Sequence, residues 1–188
     1  MSRAALAIML IIACTVAAFA ERPRPLGWAL EAMRAGNWDT AAQLAARDGD
    51  VAADVIEWHR LRAGRGSYTD VTAFLARRPD WPGEAYLRRQ SEPAILDQND
   101  AALLDFFAAT SPQTPQGVLA HAAALTRAGS TGDAQANVVL AWRTMPMNAV
   151  SHALFVAAHA DLLESHHIAR LDAMLWTGDT DSARRMLD

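Results

Sequence analysis

Histidine, carboxylate and tryptophan are the residue types in this chain whose spacing could support chemistry. His152, His159, His166 and His167 lie in one stretch with Asp161 and Glu164, a donor set that could in principle ligate zinc. On a regular helix, however, His152 and His159 stand ~10 Å apart along the axis at ~1.5 Å per residue, too far to share one ion. His166 or His167 is expected to cap or line a helix junction instead. Asp54/Glu57 and Asp161/Glu164 are each spaced to share a helix face. Glycosidase-type acid catalysis needs one carboxyl of a pair held in an apolar pocket. These pairs sit among Arg and His, so solvated faces are expected.

Trp28, Trp38, Trp58, Trp81, Trp142 and Trp176 could stack on sugars, but each falls at a helix end or on an apolar stripe. Core packing is expected for them, with Trp81, at a polar corner, as the exception. No Gly-rich phosphate loop and no serine elbow occurs. All seventeen basic residues are Arg, which excludes a Schiff-base or phosphate-loop lysine. The formal charge of −4 leaves no electrostatic footprint for nucleic acid, and the Arg pairs 77/78, 88/89 and 184/185 read as solvated helix faces. No catalytic, cofactor-binding or metal-ligating residue is expected, and no cofactor.

The elements that carry these residues are all helical. No segment alternates with period two over a useful length, so no strand is predicted. Leu26, Leu30 and Met33 form a first stripe ended by Gly36, and Asn37 or Asp39 caps a second helix with Trp38, Ala41, Leu44 and Ala45. Asp50 caps a third, bearing Val51, Val55 and Trp58 and closed by Gly64. Ser67 to Asp70 opens a fourth.

Pro79 is hostile to a helical Arg78, so that helix stops there. Asp80 is expected to cap a restart with Trp81 and Pro82 in its first turn. A short helix to Gln90, a break at Ser91-Glu92-Pro93 and a segment from Ala94 to Gln98 follow. Asn99-Asp100 caps a helix with Leu103, Leu104, Phe106 and Phe107. Thr114 with Pro115 restarts another along Val118, Leu119, Ala122 and Leu125, before Gly129.

Further helices are expected with Ala134, Val138, Ala141 and Trp142, then from about Asn148 to Glu164 with Val150, Leu154, Phe155 and Ala157. The last full one runs from about His167 to Thr177 with Ile168, Leu171, Met174 and Leu175. Hairpins of this kind cannot bury their apolar faces alone and must stack. The predicted fold is all-α, an α-α superhelix or solenoid of helical hairpins without a sheet.

At the N-terminus, Arg3, an apolar run from Ala4 to Ala18 and the small-x-small Ala18-Phe19-Ala20 predict a signal peptide over residues 1–20. The mature chain is then expected in the periplasm. Cys14, the only cysteine, follows Ile11-Ile12-Ala13 in a lipoprotein-like box, an alternative that would anchor the chain to lipid.

The corner Phe74-Leu75-Ala76-Arg77-Arg78-Pro79-Asp80-Trp81-Pro82, followed by Leu87-Arg88-Arg89-Gln90-Ser91-Glu92, resembles the N-terminal superhelical region of soluble lytic murein transglycosylases. Phe106-Phe107 with Thr114-Pro115-Gln116-Gly117, Ala141-Trp142-Arg143, and His167 to Trp176 with Gly178 and Ala183 to Leu187 resemble successive segments of it in the same order. The likeness spans roughly residues 50 to 188. It implies that residues 21–188 form a superhelical scaffold domain, incomplete at its C-terminal end, in peptidoglycan (murein) turnover.

In that family the catalytic Glu belongs to a lysozyme-like domain absent from this stretch, and Glu164-Ser165 lacks the Gly-rich, Gln-containing sequence that follows such a Glu. The chain alone is therefore expected to be inactive. Peptidoglycan would be contacted through the other domain, and a protein partner through the concave face. The alternative is a free-standing periplasmic helical-repeat adaptor.

Overall fold

The computed structural model describes residues 24–187, so the signal-peptide and Cys14 expectations lie outside the described residues. Among these residues the chain is all-α, without a strand. They divide into two compact units, one up to Arg60 and one from Leu61 onward.

In the first unit, α1 (Pro25–Arg34) and α2 (Trp38–Ala45) form a hairpin about Gly36, and a 3-10 turn (Ala46–Asp48) leads into α3 (Asp50–Arg62). Pro25 opens α1 where its missing N–H costs nothing, and Asp48 Oδ2 accepts from Leu26 N at 3.3 Å. Ala29, Ala41, Ala45, Ala52 and Ile56 make the core, flanked by Leu26, Leu30, Met33 and Leu44. Alanines at the contact let the helix axes approach closely. The buried side of α3 is one residue out of phase with the Val51/Val55/Trp58 expectation. Val51 is 64% exposed, while Ala52, Asp54 and Ile56 are inside. Asp54 is thus not on a solvated face, whereas Glu57 pairs with Arg60 at 2.7 Å.

The second unit continues with α4 (Tyr68–Arg77), α5 (Glu84–Ile95), α6 (Asp100–Ala108), α7 (Pro115–Arg127) and α8 (Thr131–Thr144). It ends with α9 (Ala149–Leu163), a 3-10 turn (Glu164–His166), α10 (His167–Thr177) and α11 (Thr180–Arg184). Ser67 and Asp70 form a reciprocal capping box, and Asn99, Thr114 and Asn148 each accept a backbone N–H at the start of their helices. The caps at Ser67, Asn99 and Thr114 agree with the sequence reading, and Asn148, expected only as a helix start, also caps.

The Pro79 corner is present, with Trp81 edge-on to Phe74 at 5.8 Å between ring centroids. The restart is later than expected. Trp81 precedes Pro82 and is itself pushed out of the helical region, so α5 begins only at Glu84, after Gly83 at φ +76°. Asp80 therefore caps nothing. The expected break at Ser91-Glu92-Pro93 is also absent, because α5 runs through Pro93. Pro93 sits in the last turn on the exposed side, where only one ladder bond is lost, and buried Ser91, Glu92 and Ile95 hold the turn in place.

The main core of this unit gathers Val118, Ala122, Ala134, Val138, Ala141, Trp142, Met147, Phe155 and Leu163. Fully burying a side chain such as Phe155 is worth about 1.5–3 kcal/mol. Two stripes differ from expectation. On α9, Phe155 is buried but Val150 and Leu154 are 67% and 46% exposed, and the helix is broken at His159 (φ −141°, ψ 28°). On α10 the inward residues are Arg170 and Met174, while Ile168, Leu175 and Trp176 face out.

Candidate functional site

The sequence-predicted candidates do not converge. His152 and His167 pack against the Trp142 ring at 5.0 and 5.6 Å, whereas His159 lines a groove with Thr126, Thr131, Gln135 and Asp161. Among the described residues no group of three or more His, Cys, Asp or Glu is placed to hold a metal ion. Of the tryptophans, Trp142 is wholly buried but Trp28 and Trp176 are exposed, so the core-packing expectation fails for those two. Trp176 is 91% exposed.

Two buried charges dominate the second unit, and the sequence reading found neither. Glu92 on α5 reaches the first turn of α7. Its Oε1 accepts from Gln113 N at 2.5 Å, and its Oε2 accepts from Thr114 N at 2.9 Å and from the Thr114 hydroxyl. Thr114 Oγ1 in turn accepts from Gly117 N at 3.0 Å, so one carboxylate and one hydroxyl together satisfy the free N–H groups of a helix start. Burial pushes the Glu92 carboxyl up from its ordinary range, opposed by those hydrogen bonds and by Arg89. Glu92 is 1% exposed and lines neither the groove about His159 nor the one between Leu140 and Ala173. A buried carboxylate held by two backbone N–H groups and a hydroxyl is a structural tie between α5 and the start of α7. Gly117 carries the one signal that could have revealed it. A glycine in the first turn of an otherwise alanine-rich helix marks a close approach, and a Cβ there would overlap Glu92 Oε2.

Arg170 on α10 is the second buried charge, with no exposed surface. Its Nη1 donates to the carbonyl of Trp142 and to that of Met145 at 3.2 Å, at the C-terminal end of α8, where the helix dipole favours a cation. The guanidinium lies 4.5 Å from the centre of the Trp142 ring. Burial, reinforced by Arg185, pulls its pKa down to about 10. Arg185 donates to the Met147 carbonyl and to Ser182 Oγ at 2.7 Å, and Ser182 Oγ donates to the same carbonyl at 3.2 Å. Arg185 is therefore an anchor, unlike its exposed neighbour Arg184. Burial first, then Arg170, Arg185 and His167, lower the pKa of His152.

A groove of about 660 Å³ runs between α8 and α10, floored by Ala136, Val139, Ala169 and Ala173 and edged by Arg143 and Asp172. Leu140 on its wall is 62% exposed, and Ile168, Leu175 and Trp176 are exposed apolar residues of α10. The chain matches no known family model, no curated protein and no solved structure. Among the described residues no helix is long and apolar enough to cross a membrane.

Proposed function

We propose that this chain is the helical scaffold part of a periplasmic lytic transglycosylase, acting in peptidoglycan turnover by holding a lysozyme-like catalytic domain. The observation that carries the scaffold role is the apolar surface of α8 and α10. Leu140 lines the groove between the two helices, and Ile168, Leu175 and Trp176 stand exposed on α10, the helix that supplies its other wall; side chains of that size left in water mark a contact surface for another protein element. The murein setting rests on the sequence resemblance around the Pro79 corner and in the later segments. Trp81 packed on Phe74 and the Thr114 cap with Pro115 give the conspicuous residues of those segments structural roles, as a scaffold requires.

The test has two arms. Purified chain incubated with murein sacculi is expected to release no anhydro-muropeptides. A lysozyme-like transglycosylase domain supplied separately is expected to bind it, and Trp176→Asp should weaken that binding at least several-fold without changing thermal stability. Release of anhydro-muropeptides that Glu164→Gln abolishes would overturn the reading.

The same groove also favours a free-standing adaptor whose ligand is a different periplasmic protein. Binding that depends on Trp176 but involves no murein-cleaving partner would decide for the adaptor.

A further inference from the structure

Arg170 has more hydrogen-bond donors than the protein uses. Its Nη1 is satisfied by the two carbonyls at the end of α8, but Nε and Nη2 are buried and have no acceptor among the described residues. Those two nitrogens form the side-on edge of the guanidinium, whose parallel N–H bonds match the two oxygens of a carboxylate. The neighbouring groups add donors rather than acceptors. Trp142 Nε1, which can only donate, and Arg185 Nε are likewise buried without an acceptor. His152 and His167 pack on the same indole ring.

Among the described residues the acidic group that acts on Arg170 is Asp179, and its Oδ1 already accepts from Ser182 N at 3.0 Å. The cluster is therefore cationic and rich in donors. A buried guanidinium edge without an acceptor is strongly unfavourable, and a planar anion placed on it would satisfy two N–H bonds and the charge together.

We infer that the Nε–Nη2 edge of Arg170, whose guanidinium lies over the Trp142 ring and near Arg185, is a binding site for a carboxylate. The carboxylate comes either as a small free acid or as an Asp or Glu side chain of another polypeptide. The five-residue α11, tied to the Met147 carbonyl through Ser182 and through Arg185 just beyond it, is the shortest element against the site. Its lifting admits the ligand. The inference does not depend on the scaffold reading.

Proton–nitrogen correlation spectra of the arginine Nε–H groups test it on the full chain, with the Arg170 signal assigned by Arg170→Lys. Titration with sodium acetate, balanced with sodium chloride at constant ionic strength, is expected to shift that signal saturably, and chloride alone is not. Trp142→Phe keeps the ring, removes the indole donor and is expected to weaken acetate binding about tenfold, the loss of one hydrogen bond to a charged group. A parallel titration with N-acetyl-Gly-Glu-Gly amide separates the sources. Tighter binding of the peptide assigns the site to a polypeptide carboxylate, and tighter binding of acetate to a free acid. If Arg170→Lys does not fold, Trp142→Phe and Arg185→Gln make the assignment, since each perturbs the same resonance. If neither probe saturates, or chloride reproduces the shift, the edge is satisfied by water and the inference is wrong.

Discussion

Replacing Gly117 by alanine sets two effects of opposite sign against each other. Gly117 lies in the first turn of α7 without a positive φ, so helix propensity alone predicts that Ala stabilises the protein by about 1 kcal/mol. The added Cβ, however, would fall inside van der Waals contact of Glu92 Oε2 and 3.1 Å from both Glu92 Cδ and Thr114 Oγ1. A carboxylate at the end of a flexible side chain ordinarily moves aside at little cost. This one is 1% exposed and is held by Gln113 N, Thr114 N and the Thr114 hydroxyl, so displacing it breaks those bonds.

Each hydrogen bond to a charged group is worth about 1.5–3 kcal/mol. Losing two of them outweighs the propensity gain, for a net destabilisation of about 2–5 kcal/mol. In a chain of this size each kcal/mol moves the melting midpoint by about 2–4 °C, so a fall of about 4–20 °C is expected by far-UV circular dichroism. In a Glu92→Ala background the clash is gone, and Gly117→Ala should then raise the midpoint by a few degrees, a coupling that a double-mutant cycle isolates. A rise in the otherwise native protein, or the same change in both backgrounds, would refute the Glu92 tie.

The remaining expectations concern other parts of the second unit. His152 has its pKa lowered by burial and by Arg170, Arg185 and His167, so the folded state binds fewer protons there than the unfolded chain. Its contribution is fully present above the ordinary histidine value of about 6.5 and is lost as pH falls from there through the lowered pKa. Urea unfolding should therefore weaken with acidification over that range, and an unchanged pH slope in His152→Asn would contradict it. Pro93→Ala, on the exposed side of α5, restores an N–H for the helix ladder and should raise the midpoint; a fall would show that the turn depends on the proline. Asp100→Asn breaks an ion pair with Arg127 that lies in solvent and should leave the midpoint unchanged within error, whereas a clear drop would mean that the pair is stabilising. Amide exchange at Ala183, whose N–H bonds Asp179 and whose side chain is buried, should speed up in Ser182→Val, which removes the tie to Met147; an unchanged rate would place the anchor of α11 elsewhere.

The local punctuation of this fold was legible in the sequence. Ser67 with Asp70, Asn99, Thr114 before Pro115, Asn148, and the glycines at 36, 64, 129 and 178 act within a few residues of themselves, so their chemistry fixes where helices begin and end. The stop at Pro79 is of the same kind. The inward faces were legible on α6, α7 and α8, where Phe106, Phe107, Val118, Ala122, Val138 and Trp142 are buried as expected, and not on α3, α9 and α10. Helices rich in Ala, Leu and Val carry several overlapping stripes, and a shift of one residue turns the inward face by roughly 100°. Only packing against neighbours chose Ala52 and Ile56 over Val51 on α3, and Arg170 over Ile168 and Leu175 beside the expected Met174 on α10. The terminal turns follow the same rule. Ala183 is buried and Met186 packs on the core, while Leu187 is 74% exposed.

The buried charges were hidden for a different reason. Glu92 meets Gln113 and Thr114, and Arg170 meets Trp142 and Met145, each more than twenty residues away along the chain. A carboxylate or guanidinium on a helix reads as a surface group until a distant helix end supplies the donors or carbonyls that let it be buried. Those partners exist only once the helices have stacked, and so the tertiary structure alone decided where the charge of this protein lies.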